Sequence, residues 1–297
     1  MMRWSSHTGA VLTALLVTFL WSTSWILIKE GLHELPPLLF AGLRYGIAAL
    51  VLVPWLWTRR KEVRAITLRQ WLNVVLLGIF FYALTQGGQF LTLNYLDAIP
   101  FSLMLNGSTI LVALAGIYVL REIPTKFQWI GIVVFLGGAV LYFSPLSSLQ
   151  GSAIGFIFAG LTVCANAAAS LLGRSVNRES VASPLVVTAL SMGIGAVLLL
   201  GIGVAIEGLP SLSVKSWGIV MWLAIVNTAV AFTLWNRSLR VLAAVESSII
   251  NNTMLVQIAL LAWIFLGETI SGSELVGLAL ASIGIMIVQL KKRRTPS

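Results

Sequence analysis

Within long apolar stretches of this chain, a few polar side chains recur at helical spacing. Tyr82, Gln86 and Gln89 stand at i, i+4 and i+7, so a helix brings a phenol and two amides to one face. Thr228, Phe232 and Trp235 repeat that stripe in a more aromatic form. Asn106 and Asn252 each follow a serine by four residues, Ser102 and Ser248, and Asn251 adds another amide. Asn166 and Ser170 share a face, and Trp21 and Trp25 stand four apart with Ser22 and Ser24 beside them. Amides, hydroxyls and indoles together can orient a small organic molecule and cover its apolar side. The same groups also bond helix to helix, for about 1 kcal/mol each.

Arg44 is the one basic residue well inside an apolar stretch. A buried guanidinium needs a carboxylate, carbonyls or water. It could grip a substrate carboxylate bidentately, pair with Glu30 or Glu34, or reach out to the membrane surface from about two turns inside its helix end. Glu246 is the only acidic residue arguably inside a span, near an end where Arg240 could pair with it. Without a carboxylate at mid-depth, facilitated diffusion or weakly coupled export is expected rather than drug–proton exchange. His7 precedes the first apolar stretch and His33 lies in the external loop after it, so they form no cluster for a metal, and the single Cys164 is expected to pack as a small hydrophobe. No nucleophile–base set, phosphate loop or dinucleotide fingerprint is present. Neither an enzyme nor a cofactor is expected.

The elements that must position these groups follow from composition. Of 297 residues, 58% are hydrophobic and 10% charged, against about 25% charged in an ordinary soluble domain. Mean hydropathy is +0.96. A bilayer core needs roughly 20 helical residues to cross, and ten stretches qualify: 9–28, 37–57, 70–93, 98–120, 127–143, 152–173, 183–206, 215–236, 244–266 and 272–290. Pro36, Pro37, Pro100, Pro124, Pro145, Pro184 and Pro210 fall at their edges, where a missing N–H costs least. The first stretch is too long for a signal peptide's apolar core and is followed by Lys29-Glu30 rather than a cleavage site. The net charge of +9 could suggest nucleic acid, but of 19 basic residues all except Lys29, Arg44 and Lys215 fall on one side of the ten spans. That bias puts both termini in the cytoplasm and makes the bilayer, not nucleic acid, the partner of the charge.

Shifting the chain by 146 residues superposes Asn106 on Asn252 and Glu122 on Glu268. The same shift pairs Gly131 with Gly277, Gly138 with Gly284, and Ile79 with Ile225. A shift of 147 pairs Gly46 with Gly193 and Ala49 with Ala196. Residues 1–146 and 147–297 thus read as two repeats. Five spans is an odd number, so the second repeat enters from the opposite side, an arrangement recurrent in secondary transporters with midplane binding sites. Gly131, Gly137, Gly138, Gly277 and Gly284 read as close-packing positions in peripheral helices. The expected fold is an all-α polytopic membrane protein of ten transmembrane helices in two inverted five-helix repeats.

The blocks Phe19-Leu20-Trp21-Ser22-Thr23-Ser24 with Lys29, and Leu43-Arg44-Tyr45, resemble the opening of an EamA-type member of the drug/metabolite transporter superfamily. The stretches from Leu96 through Arg121-Glu122 to Gly138, and from Leu242 through Gly267-Glu268 to Gly284, resemble its duplicated domain. The resemblance implies a five-plus-five inverted arrangement and export of amino acids or related metabolites, with the aromatic amino-acid exporters as the nearest branch. One departure is plain: Thr109 and Leu255 stand about where the family often carries proline. The expected function is a carrier in a bacterial inner membrane, exporting small metabolites by alternating access through a central cavity. Its expected substrate-binding residues are Trp21, Ser24, Arg44, Tyr82, Gln86, Gln89, Asn106, Asn166, Thr228, Trp235 and Asn252, with no metal. A sugar or other metabolite permease of the same fold is the alternative within transport, and a non-transporting scaffold or receptor the alternative outside it. A monomer is compatible with all three.

Overall fold

The computed structural model describes residues 7–119, 125–144, 152–179, 182–242 and 244–289, and every regular element among them is helical. Helix α1 spans His7–Gly31 and α2 Pro37–Thr58, followed by a single turn, Arg60–Arg64. Helix α3 spans Leu68–Tyr95. Helix α4 runs Ala98–Asn106, breaks at Gly107 and resumes over Ser108–Val119. Then come α5 (Lys126–Tyr142), α6 (Ala153–Glu179), α7 (Pro184–Glu207), α8 (Val214–Ser238), α9 (Ala244–Phe265) and α10 (Gly272–Gln289). Seven of them, α1–α4 and α6–α8, contain stretches long and apolar enough to cross a membrane. Shorter apolar helices lie over Lys126–Tyr142, Ile249–Phe265 and Gly272–Val288. Arg3, Arg121, Glu122, Pro124, Pro145 and residues 291–294 lie outside the described residues, as do the side chains of Arg174, Arg178 and Ser248.

Local chemistry sets the helix starts. Thr67 with Gln70, and Thr125 with Gln128, form reciprocal capping boxes at α3 and α5. Pro37 and Pro184 open α2 and α7, where their missing N–H is no loss. Other starts are capped by carboxylates from distant segments. Glu207, ending α7, accepts from Leu38 N at 3.1 Å and Leu39 N at 2.8 Å in the first turn of α2. Glu268, after α9, accepts from Ala98 N at 2.7 Å and Ile99 N at 3.0 Å in the first turn of α4. Glu62 accepts from Ser183 N at 2.9 Å, just before α7, and that backbone bond holds its carboxyl below the usual range. Negative charge at a helix N-terminus faces the positive end of the dipole, so these bonds tie chain-distant helices end to end.

Packing between helices relies on missing side chains. A Cβ on Gly131 would meet Gly284 O at 2.7 Å, and one on Gly138 would meet Gly277 O at 2.6 Å. Thus α5 and α10 run in opposite directions with backbones touching. Gly137 has nothing within 4 Å and turns away, so the close-packing expectation holds for the other four glycines and not for it. A second antiparallel contact joins α2 to α7, where Gly42 faces Leu200 and Gly203 faces Leu39. Lipid tails are as apolar as leucine, so helix association depends on such close approach rather than on expulsion of water. Large apolar residues such as Leu50, Val140, Ile157, Trp263 and Phe265 cover the outside of the bundle. Cys164 is exposed on α6, so the expectation that it packs inside is corrected.

Adding bulk at a backbone contact costs about 1–3 kcal/mol. Gly277→Val puts a side chain 2.6 Å from Tyr142 N, and should lower the Tm of the detergent-purified protein by several degrees. Gly137→Val should leave it unchanged. Fluorescence-detected thermal unfolding compares the two.

Candidate functional site

Arg44, on the second turn of α2, is 5% exposed. Its Nε donates to Thr228 Oγ1 of α8 at 3.0 Å, and its Nη2 to Ser24 Oγ of α1 at 3.4 Å. The guanidinium carbon lies 5.1 Å from the Tyr45 ring centroid. The possible carboxylate partners are engaged elsewhere: Glu30 pairs with Lys215 at 2.5 Å, and Glu34 accepts from the hydroxyls of Ser213 and Ser216. Among the described residues no carboxylate reaches Arg44. Hydroxyls and one aromatic face carry the charge, and Nη1 is bonded to no described group.

The hydroxyl that receives Arg44 Nε is placed by a local irregularity. Helix α8 is π-helical over Ile225–Val230, and Thr228 donates to the carbonyl of Leu223, five residues back, at 2.8 Å. Helix α3 has a longer π segment, Gly78–Gln86, in which Thr85 donates to Phe80 O, again five back, at 2.7 Å. The repeat shift of 146 puts Ile225–Val230 on 79–84, inside the first π segment. Widened turns of this kind recur at functional sites because they re-aim side chains within a helix. Here the segments hold the start of each polar stripe, Tyr82 and Gln86 in α3 and Thr228 in α8. The Tyr82 ring meets Tyr45 edge to face at 5.4 Å, and Tyr45 Oη donates to Gln86 Oε1 at 2.8 Å. The absence of a Cβ on Gly195 of α7 lets the backbone near Tyr82 approach.

The structure therefore brings Ser24, Arg44, Tyr82 and Thr228 into one buried cluster, with the half-buried Gln86 at its edge. Trp21 joins a neighbouring group, its ring 5.3 Å from Phe232 and 5.2 Å from Trp235. Gln89 is buried one turn beyond Gln86. Two expected residues bond partners other than Arg44, and a third is placed by its burial alone. Asn106 donates to Ser102 O within its own helix, Asn166 donates to Ser108 Oγ and ties α6 to α4, and Asn252 is buried in α9. Glu246 pairs with His7 at 2.9 Å, linking α9 to α1. Trp25 packs inward on Phe101. A cavity of about 240 Å³ opens between the ends of α1 and α8, beside Thr13, Leu234, Arg237 and Arg240. It lies eleven residues along α1 from Ser24, about 16 Å. Trp21 and Phe232 fall between the two along that seam.

Two polar residues escaped the sequence reading. Asn227, fully buried in the π segment of α8, donates through Nδ2 to Leu20 O at 2.5 Å, Ser24 Oγ at 2.9 Å and Thr23 Oγ1 at 3.1 Å. Gln257 of α9 accepts from Ser22 of α1 at 2.9 Å and donates to Thr18. Each is an amide inside an apolar run, which was the available signal. The repeat register does not single them out, because their counterparts are Phe81 and Leu111.

This is a helical membrane protein whose intramembrane polar groups converge where four helices meet, the organisation of a solute carrier. The chain belongs to the EamA-like transporter family, which matches it twice, over residues 8–144 and 146–290. It is a multi-pass membrane transporter, not an enzyme, at the level its family defines. A transporter of Archaeoglobus fulgidus is 29% identical over half of this chain and 54% of its own length. A protein of Salmonella typhimurium named a probable amino-acid metabolite efflux pump is 29% identical, covering 95% of this chain and 96% of its own. The inner membrane transporter YedA of Escherichia coli K12 is 25% identical over 94% of this chain and 90% of its own. One crystal structure shares the fold, with a TM-score of 0.66 over 95% of this chain and 98% of its own at 20% identity.

Hydrogen bonds to charged groups are worth about 1.5–3 kcal/mol. Thr228→Val keeps shape but leaves Arg44 Nε without its acceptor, and should destabilise the purified protein by that order. Thr233→Val, which removes only a bond to Ala229 O in its own helix, should not. Thermal unfolding in matched detergent reads the difference.

Proposed function

We propose that the chain is a ten-helix carrier of two inverted five-helix repeats, 1–146 and 147–297, which exports amino acids or similar small metabolites by alternating access. The inverted arrangement is supported by reciprocal contacts. Gly131 meets Gly284 while Gly138 meets Gly277, and Gly46 faces Ala196 while Gly193 faces Ala49. Contacts that exchange repeat partners in this way are what a two-fold axis in the membrane plane produces. The charge bias of the loops favours cytoplasmic termini, and an inner membrane fits the E. coli relative.

The observation that carries the substrate class is Arg44: a buried guanidinium with hydroxyl partners and donors to spare, where a carboxylate is the complementary ligand. In the bound state a substrate carboxylate would take the Nη1 edge. Tyr82, Gln86 and Gln89 would line one side from α3, and Trp21 and Trp235 would cover its apolar part from α1 and α8. Asn106, Asn166 and Asn252 would line the path opened as the repeats rock. The aromatic seam of Trp21, Phe232 and Trp235 separates the cluster from the cavity beside Arg237. Repacking of those rings is the local event that would join the two.

Counterflow in proteoliposomes against a panel of amino acids, sugars and dyes tests the reading. Neutral amino acids should exchange, and Arg44→Lys, purified with the wild-type elution profile, should exchange them about 10- to 100-fold more slowly, the equivalent of one charge-assisted hydrogen bond. Gln86→Ala with Gln89→Ala should also impair exchange while leaving folding largely intact. Equal exchange by wild type and Arg44→Lys, or exchange of sugars alone, would overturn it.

A further inference from the structure

Asn227 holds an acceptor that the fold has left open. Its Nδ2 carries two hydrogens and faces three oxygens of α1: Leu20 O at 2.5 Å, Ser24 Oγ at 2.9 Å and Thr23 Oγ1 at 3.1 Å. The two hydroxyls spend their own hydrogens on Leu20 O, from Thr23 at 2.7 Å and from Ser24 at 3.3 Å. Both are thus free to act as acceptors toward the amide. Turning the amide over would set Oδ1 against the Leu20 carbonyl oxygen, which can only accept. The orientation is fixed by chemistry: nitrogen toward α1, oxygen away from it.

That oxygen is buried and bonded to no protein group. A buried acceptor without a donor costs about 1–3 kcal/mol. Among the described residues it shares this condition only with Ser183 Oγ. The amide's anchor is also the guanidinium's. Ser24 Oγ lies 2.9 Å from Asn227 Nδ2 and 3.4 Å from Arg44 Nη2, and Thr228, next in sequence to Asn227, takes Arg44 Nε. The open acceptor and the carboxylate-binding cation are at most two hydrogen bonds and the width of an amide apart. An α-amino acid that makes one hydrogen bond at each of its charged ends reaches across a comparable distance.

We propose that Asn227 Oδ1 receives the α-ammonium of the substrate while Arg44 receives its carboxylate, so that this site selects zwitterions. The assignment rests on the amino-acid carrier reading and sharpens it: Arg44 alone would accept any carboxylate, and Asn227 makes the free ammonium a requirement. No charged partner is needed for the ammonium. Its attraction to a fixed amide oxygen is strengthened by low dielectric, and the substrate then brings no net charge into the bundle. The absence of a mid-depth carboxylate is thus compatible with amino-acid recognition.

The test is competition in counterflow by the full chain in proteoliposomes, with labelled L-phenylalanine and L-leucine as probes. The competitors are each amino acid, its des-amino acid (3-phenylpropanoate or 4-methylpentanoate) and its N-acetyl derivative. With the wild type, both derivatives should compete about 10- to 100-fold less well than the amino acid, the range for a hydrogen bond to a charged group. In Asn227→Leu that gap should close to within a few-fold, the amino acid falling to the level of its des-amino acid. Asn227→Asp, which keeps an acceptor oxygen, should preserve the gap. Exchange by the wild type with equal competition from the derivatives overturns the assignment and leaves the carrier reading standing, as does a gap unchanged in Asn227→Leu. No exchange of any panel amino acid by the wild type overturns both. If Asn227→Leu does not fold, the wild-type ratios and Asn227→Asp decide.

Discussion

A guanidinium held inside an apolar bundle by hydroxyls is the constraint to which the centre of this structure answers. Arg44 can stay charged at 5% exposure only if several helices present oxygen to it at once. Thr228 does so because a π turn in α8 re-aims its hydroxyl. Ser24 does so from α1, and Asn227 in turn grips Ser24. Helices α1, α2 and α8 are thereby fixed relative to one another by one charge. Tyr45, adjacent to Arg44, carries the connection on to Gln86 and the π segment of α3. A carboxylate in place of these hydroxyls would neutralise the cation permanently. Hydroxyls satisfy part of its valence and leave the charge available.

Around that polar centre, cohesion comes from two devices suited to a membrane. Glycines allow α5 against α10, and α2 against α7, to approach until backbone meets backbone. At the ends, Glu207 and Glu268 each bind a pair of N–H groups on a helix from the other half of the chain. Burial pushes the Glu268 carboxyl above its usual range, against the lowering effect of the Ile99 and Ala98 N–H groups. These caps join the two halves of the chain, and they couple them through helix dipoles rather than side-chain charges alone. Lys29 with Asp97 and Lys215 with Glu30 add ion pairs at the same end of α1.

Much of the helical framework was legible in the sequence, because 20-residue apolar runs, edge prolines and capping boxes are local signals. The site was legible in part. Repeat-matched and i, i+4 polar residues led to Tyr82, Gln86 and Thr228, and the oddity of an intramembrane arginine led to Arg44. Bonding partners were not legible. Glu30 and Glu34 are near Arg44 in sequence, yet Lys215 and the serines that open α8 claim them. The π segments are invisible to composition, since a single widened turn changes hydrogen bonding without changing hydropathy. Asn227 and Gln257 were overlooked because the internal repeat pairs them with Phe81 and Leu111. The symmetry that exposed the scaffold concealed the residues that break it.

That asymmetry has a mechanical meaning. A carrier whose halves were chemically equivalent would present the same surface to both sides of a substrate, whereas an amino acid has different ends. The first repeat contributes the cation, Arg44, with Tyr82 and Gln86. The second contributes Asn227 and Thr228 from the corresponding π segment, together with Phe232 and Trp235. The break in α4 follows the same logic. Gly107 interrupts that helix, whereas its counterpart Thr253 lies in the unbroken α9 and bonds back to Ile250 O at 2.6 Å. No proline is needed for the interruption. In the carrier proposed above, two matched scaffolds with unmatched linings would exchange conformations at similar energy while holding a polar substrate in one orientation. The repeat would then provide the motion, and the departures from it the chemistry.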